Sequence, residues 1–251
     1  MTRRAARSDA MAHRRPISFI VTCEHAANHI PRKYRALFRG RRRVLESHRG
    51  YDPGALAMAR SLSRSLDAAL FTATVSRLLV ELNRSPGHPV LYSEVMRDAP
   101  ESVRREVYDR YYVPYRKRVE DAVRDAVERG TRVVHISSHS FTPRLHGVVR
   151  KADVGLLYDP SRKSEQMLCA RWQAALRATA PQWSVRRNYP YRGASDGLTR
   201  YLRSRFADNT YSGIELEVNH KHVFAGDGAW KAVRSRVIGA LLVAVGPRSL
   251  G

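Results

Sequence analysis

The segment IVTCEHAANHIP (Ile20–Pro31) decides how the rest of the chain is read. An apolar run, Ile17 to Val21, gives way to Cys23, Glu24 and His25, then to Asn28, His29 and Pro31, a residue that cannot donate to a ladder. The pattern predicts a strand that delivers polar groups at its carboxyl end. In α/β proteins ligands bind at those ends, because loops converge there on a crevice while the strand bodies stay packed. A carboxylate beside an imidazole in that place suits a metal ion or an acid–base pair. A lone histidine more often only braces a loop; what sets His25 apart is that the same design recurs along the chain.

It recurs at Arg132 to Ser137, a predicted strand that runs into Ser138, His139, Ser140, Phe141, Thr142 and Pro143. Two strand-end imidazoles can meet at one ion. Two β-rich runs, Leu70 to Val75 and Leu78 to Leu82, are read as strands, the second delivering Glu81, Asn83 and Arg84; an arginine there can hold a carboxylate by two parallel hydrogen bonds. Asp153 to Tyr158 and Gly213 to Val218 complete the strands. Period-two alternation sets Glu215 and Glu217 on one face, opposite Ile214, Leu216 and Val218, and a partly desolvated carboxylate at a strand end can act as general base on water.

Helices are expected between these strands. Asp52 and Pro53 open one, with Asp52 at the N-cap and Leu56, Ala59, Leu62 and Leu66 on one face. Glu101 to Arg129 reads as a helical region broken near Pro114, with Tyr108, Tyr111, Tyr112 and Tyr115 first of all a packing surface. Further helices are expected over Arg162 to Ala178, Leu198 to Phe206 and Gly228 to Val245. Asn188 to Gly197, NYPYRGASDG, has the Gly, Pro and Asn density of a functional loop.

Composition bounds the class. The 251 residues, 43% hydrophobic, suffice for one α/β domain over residues 16–251 after a basic tail, residues 1–15, expected to be disordered. Two distant cysteines exclude a disulfide framework and zinc-finger spacing, and fit a reducing cytoplasm. No apolar run is long enough for a membrane span. The 45 Lys and Arg against 23 Asp and Glu give +22, a field that draws acidic substrates and also keeps nucleic-acid binding open as a second reading. A third is a cysteine hydrolase with Cys23 as nucleophile and His25 or His139 as base.

The phrases VTCEHAANHIP, YDPGA, SRLLVELNRSP, YYVPY, SSHSFTP, DVGLLYDP, NYPYRG and GIELEVN, in that order, resemble the N-formylglutamate amidohydrolase family, in the branch with a Cys-acid-His-Ala opening. The resemblance covers Ile17 to His220. It implies a mixed, mostly parallel sheet flanked by helices, similar to zinc carboxypeptidases and aspartoacylase-type deacylases. It also implies hydrolysis of the N-acyl amide of a small acidic amino acid, with N-formylglutamate the leading substrate, a step of histidine degradation. His25 and His139 match zinc ligands; the carboxylate ligand matches Asp52, with Glu24 as the alternative. Glu217 matches the general base, Asn83 and Arg84 the groups that hold a substrate carboxylate, and Asn28 is placed to orient His25. Two departures bear on the substrate: Glu81 stands where the family usually has Asp, and Ser137 where deformylases carry Asp.

Overall fold

The computed structural model describes residues 15–246. The expected tail thus lies, except for Arg15, outside the described residues. The first run forms β1 (Ile17–Cys23), followed by α1 (Ala55–Leu66) and β2 (Ala69–Thr72). A helical stretch, Glu101–Val107, continues through a π-turn, Tyr108–Tyr112, into α2 (Val113–Glu128) and β3 (Arg132–Phe141). Then come a small hairpin, β4 (Arg144–Leu145) and β5 (Val148–Val149), and β6 (Val154–Leu157). The chain goes on through α3 (Lys163–Thr179), β7 (Val185–Arg187), α4 (Leu198–Arg205), β8 (Tyr211–Asn219) and α5 (Asp227–Val245).

Six strands form one mixed sheet in the order β2-β1-β3-β8-β6-β7. Strands β2, β1, β3 and β8 are parallel; β6 runs antiparallel to β8 and parallel to β7. The carboxyl ends of β1, β3 and β8 therefore meet along one edge. The mixed α/β architecture expected from the sequence is the one observed, and among the described residues no helix is long and apolar enough to cross a membrane.

Alternation along the strands explains both cores. Phe19, Val21 and Cys23 of β1, Val134 and Ile136 of β3, and Ile214, Leu216 and Val218 of β8 face α1, α3 and α5 in one apolar cluster. On the other face, Ile20, Val133 and Tyr211 pack with Val119 and Val123 of α2 and Leu198 and Leu202 of α4. That second face changes character along the strands. Past Ile20, Val133 and Tyr211, its residues are Thr22 and Glu24, then His135, Ser137 and His139, then Glu215 and Glu217. A half-apolar, half-polar face is what places a site above the lower core.

Four expectations need correction. Leu78 to Leu82 forms no strand; Leu79, Val80 and Leu82 are buried in the second core from a run of turns in which Leu79 donates to Ser76 and Arg84 to Glu81. Apolar runs report burial, and burial here came without pairing. The chain is not broken at Pro114, which sits in the first turn of α2 where no amide is needed, and the irregularity is taken up by the π-turn before it. Strand β3 extends to Phe141, so His139 lies within it. Finally, Asp52 is not the cap of α1: Gly54 is, in a left-handed conformation (φ 79°), where a Cβ would collide with Val223 and Trp230. That turn frees the Asp52 carboxylate for other partners.

Candidate active site

His25 leaves the end of β1, His139 stands on β3, and Asp52 precedes α1. Their side chains converge: Asp52 Oδ2 lies 3.1 Å from His25 Nδ1 and 3.0 Å from His139 Nδ1, and the two Nδ1 atoms are 3.1 Å apart. All three residues are buried. Two imidazole nitrogens and one carboxylate oxygen form a triangle close to one face of a zinc tetrahedron, whose edges are about 3.3 Å for bonds near 2.0 Å. The three could hold a metal ion.

The outer nitrogens are also held. His25 Nε2 lies 2.5 Å from Glu81 Oε1, and Arg77 ties this shell together by donating to Glu81 Oε2 (2.8 Å) and Asp52 Oδ1 (3.3 Å). His139 Nε2 lies 2.8 Å from Ser137 Oγ and 3.1 Å from Glu24 Oε2, while Ser137 and Tyr115 donate their hydroxyls to Glu24. Carboxylates on the far nitrogens of metal-binding histidines fix tautomer and ring orientation. Glu24 thus faces the outside of the triangle, and the donor set contains Asp52 in its place. Asn28 is exposed, and the partner of His25 Nε2 is Glu81, so the expected Asn28 brace is replaced by one from the loop. Sequence reading missed Arg77, although Arg77 and Glu81 stand four residues apart with opposite charge.

Electrostatics follow from burial against pairing. Burial would raise the Asp52 carboxyl, but His25, His139 and Arg77 hold it well below the usual range; Glu24 and Glu81 are likewise held low by His139 and Arg77. Burial would lower His139, and its two carboxylates outweigh that and push it well up. Glu217 is the opposite case. Its β8 position pairs with His139 of β3, so the two side chains stand side by side. Burial first, then the charges of Asp52 and Glu215, push its carboxyl up to about 8, and Oε2 is buried with no hydrogen-bond partner among the described residues. A buried orphan acceptor beside three converging donors is unusual in a purely structural cluster.

A cavity of about 260 Å³ opens over these groups, lined by His25, Asp52, His139 and Glu217 together with Asn83, Arg84, Glu215 and the 188–197 loop. Asn83 Oδ1 accepts from the amide of Leu198 and braces the start of α4; Arg84 Nη1 donates to the carbonyls of Asn83 and Asp196. Cys23 lies in the core and does not line the cavity. Burial, then Glu24 and Asp52, push its thiol far up, which removes the cysteine-nucleophile reading.

Residues 17–223 match the sequence model of the family described as N-formylglutamate amidohydrolase. The chain belongs to this family. A crystal structure of a gene product from Agrobacterium tumefaciens is 31% identical and superposes with a TM-score of 0.77, covering 93% of this chain and 92% of its own. A second, of N-formylglutamate amidohydrolase from Ralstonia eutropha, is 18% identical with a TM-score of 0.68 over 92% and 94% of the two chains, and speaks for the fold alone. No curated protein matches the chain at a significant level. With the family in view, the ordered motifs of the sequence acquire a common location: VTCEHAANHIP, YDPGA, SRLLVELNRSP, SSHSFTP, NYPYRG and GIELEVN all contribute side chains to the cavity or to the shell behind it.

Proposed function

We propose that the chain is a metal-dependent amidohydrolase that cleaves the N-acyl amide of an acidic amino acid, with N-formylglutamate, giving formate and glutamate, as the leading substrate. The observation that carries this reading is the His25–Asp52–His139 triangle with the orphaned, desolvated Glu217 carboxyl in register beside it. A zinc ion held by those three side chains would supply Lewis acidity toward the amide carbonyl and toward water. Glu217 takes a proton from the water that attacks the formyl carbon and holds it at Oε2. It then gives that proton to the amide nitrogen as the C–N bond breaks. A carboxyl whose proton affinity is raised by burial is suited to the second half of that shuttle, and a nearby cation readies it for the first. Asn83 and Arg84, both lining the cavity, hold a substrate carboxylate, Arg84 through the part of its fork that the Asn83 and Asp196 carbonyls leave unbonded.

The test is hydrolysis of N-formylglutamate by the purified chain before and after chelation, with metal content measured in parallel. The expected result is about one zinc per chain, turnover abolished by the chelator and restored by zinc, and metal lost in His25→Ala and His139→Ala. Equal metal in wild type and both variants, or turnover indifferent to chelation, would overturn the reading.

A further inference from the structure

Besides the two imidazoles of the triangle, the cavity wall carries four basic side chains: His48, Arg77, Arg84 and Arg192. Arg77 is occupied by Glu81 and Asp52. Arg84 is anchored through Nη1 to two neutral carbonyl oxygens, which fix the group without cancelling its charge. Arg192 has no carboxylate partner among the described residues. Two acids of the same wall take neutral donors instead, Asp196 from the amide and hydroxyl of Ser85 and Glu215 from the hydroxyl of Thr199.

An exposed arginine is ordinary in a chain of charge +22, but this one hangs from a fixed point. On its carboxyl side, Gly193 N donates to Asn188 Oδ1 (3.1 Å), and Arg203 Nη1 donates to Gly193 O (2.6 Å). The carbonyl of Arg192 itself accepts from Ser195 N (3.0 Å). On its amino side, Arg150, nine-tenths buried between the Phe141 and Tyr191 rings, donates to the Tyr191 hydroxyl (3.1 Å). A side chain on a pinned backbone loses less freedom when it binds, which is the condition for an arginine to discriminate between ligands.

We propose that Arg192 is the second cation of the substrate site: with Arg84 it reads the two carboxylates of an N-acylated dicarboxylic amino acid, and the Arg150–Tyr191 clasp holds the loop that carries it. This rests on the amidohydrolase reading for the reaction, but not for the binding of the dicarboxylate. Two carboxylates, one held at the anchored Arg84 guanidinium and one at an arginine on a pinned backbone, set both the length and the orientation of the substrate.

The experiment compares wild type, Arg192→Met, Tyr191→Phe and, as a control for loss of general positive field, Arg187→Met, an exposed arginine outside the cavity. Each is assayed on N-formylglutamate and on its side-chain and α-carboxyl amides, and titrated calorimetrically with glutarate. Arg192→Met is expected to lose roughly 30-fold in kcat/KM on N-formylglutamate, mainly through KM. One of the two monoamides should lose less than threefold, and glutarate affinity should fall in parallel. Tyr191→Phe should show the same selectivity at a smaller amplitude, and Arg187→Met should stay within twofold throughout. Equal loss on all three substrates, or a loss no larger than that of Arg187→Met, overturns the proposal. If wild type hydrolyses none of the amides yet glutarate binding still depends on Arg192, the reaction assigned above is wrong and the dicarboxylate site stands; glutarate binding indifferent to Arg192→Met overturns the site whatever the turnover.

Discussion

Asp52 and Glu217 are both buried carboxyls facing one cavity, and their surroundings drive them apart: Asp52 is held ionised by two imidazoles and a guanidinium, whereas Glu217 keeps its proton up to about 8. Different work follows. Asp52→Asn should strip the metal, while Glu24→Gln, which meets the triangle only at the far nitrogen of His139, should keep it with affinity reduced by about 10- to 100-fold, as read by competition with a chromogenic chelator. The reverse order would move the third ligand to Glu24. Glu217→Gln should retain both metal and substrate binding and lose about 100-fold or more in turnover. The same side chain makes a prediction about stability in metal-free protein. Folded Glu217 retains a proton that the unfolded chain releases near its ordinary value of 4.5. Between there and about 8 the native state binds more protons, so the contribution of Glu217 to stability falls as pH rises, at up to roughly 1.4 kcal/mol per pH unit. Urea unfolding of the metal-free proteins should therefore show Glu217→Gln gaining on wild type from pH 5 to 8. A pH-independent difference would mean that the folded carboxyl is already ionised.

At the level of elements, the strand faces were legible because alternation is local: Glu215 and Glu217 share a face whatever the fold, and an imidazole set among small hydroxyl residues marks where a face of β3 turns polar. What was not legible depended on contacts between distant segments. Leu78 to Leu82 is as apolar as a strand, yet it joins no strand of the sheet, and Leu79, Val80 and Leu82 are buried in the second core from a run of turns. Asp52 looked like a cap because local sequence offers it that role; only the Gly54 turn and the two imidazoles draw it away. The NYPYRG loop was recognisable by composition, but its position over β6 rests on Gly155, where an added Cβ would come within 1.9 Å of the Tyr189 carbonyl and 3.3 Å of Glu217 Cβ. Gly155→Ala should lift the loop while leaving the sheet intact. The expected signs are faster tryptic cleavage at Arg186, Arg187 and Arg192, unchanged far-ultraviolet circular dichroism, and a rise in KM for N-formylglutamate. An unchanged cleavage pattern and KM would show that the loop is not seated by this contact.

For the whole molecule the dominant quantity is the charge of +22, which no single motif explains. Among the described residues the basic side chains are spread over the surface; of the arginines that line the cavity, Arg77 is neutralised by Glu81 and Asp52, while Arg84 and Arg192 have no carboxylate partner among the described residues. A diffuse field of this kind acts at long range, on encounter, whereas the chemistry depends on contacts inside a buried cavity. The two separate under salt, because the screening length shrinks from about 30 Å at 0.01 M to about 10 Å at 0.1 M ionic strength while buried pairs are screened far less. For the dianionic N-formylglutamate, kcat/KM should therefore fall severalfold between those concentrations with kcat nearly constant, and for an amide lacking one carboxylate it should fall less. Removing residues 1–15, which hold five arginines against one aspartate, should lower kcat/KM slightly at low salt and leave kcat intact. The same field predicts nucleic-acid binding that is weak, indifferent to sequence and lost as salt rises, because it would consist of counterion release alone. Electrophoretic mobility shifts across a salt series with unrelated duplexes give the decision: tight, sequence-selective complexes at 0.15 M salt would mean that the basic surface has a nucleic-acid partner of its own, and their absence would leave capture of acidic substrates as its role.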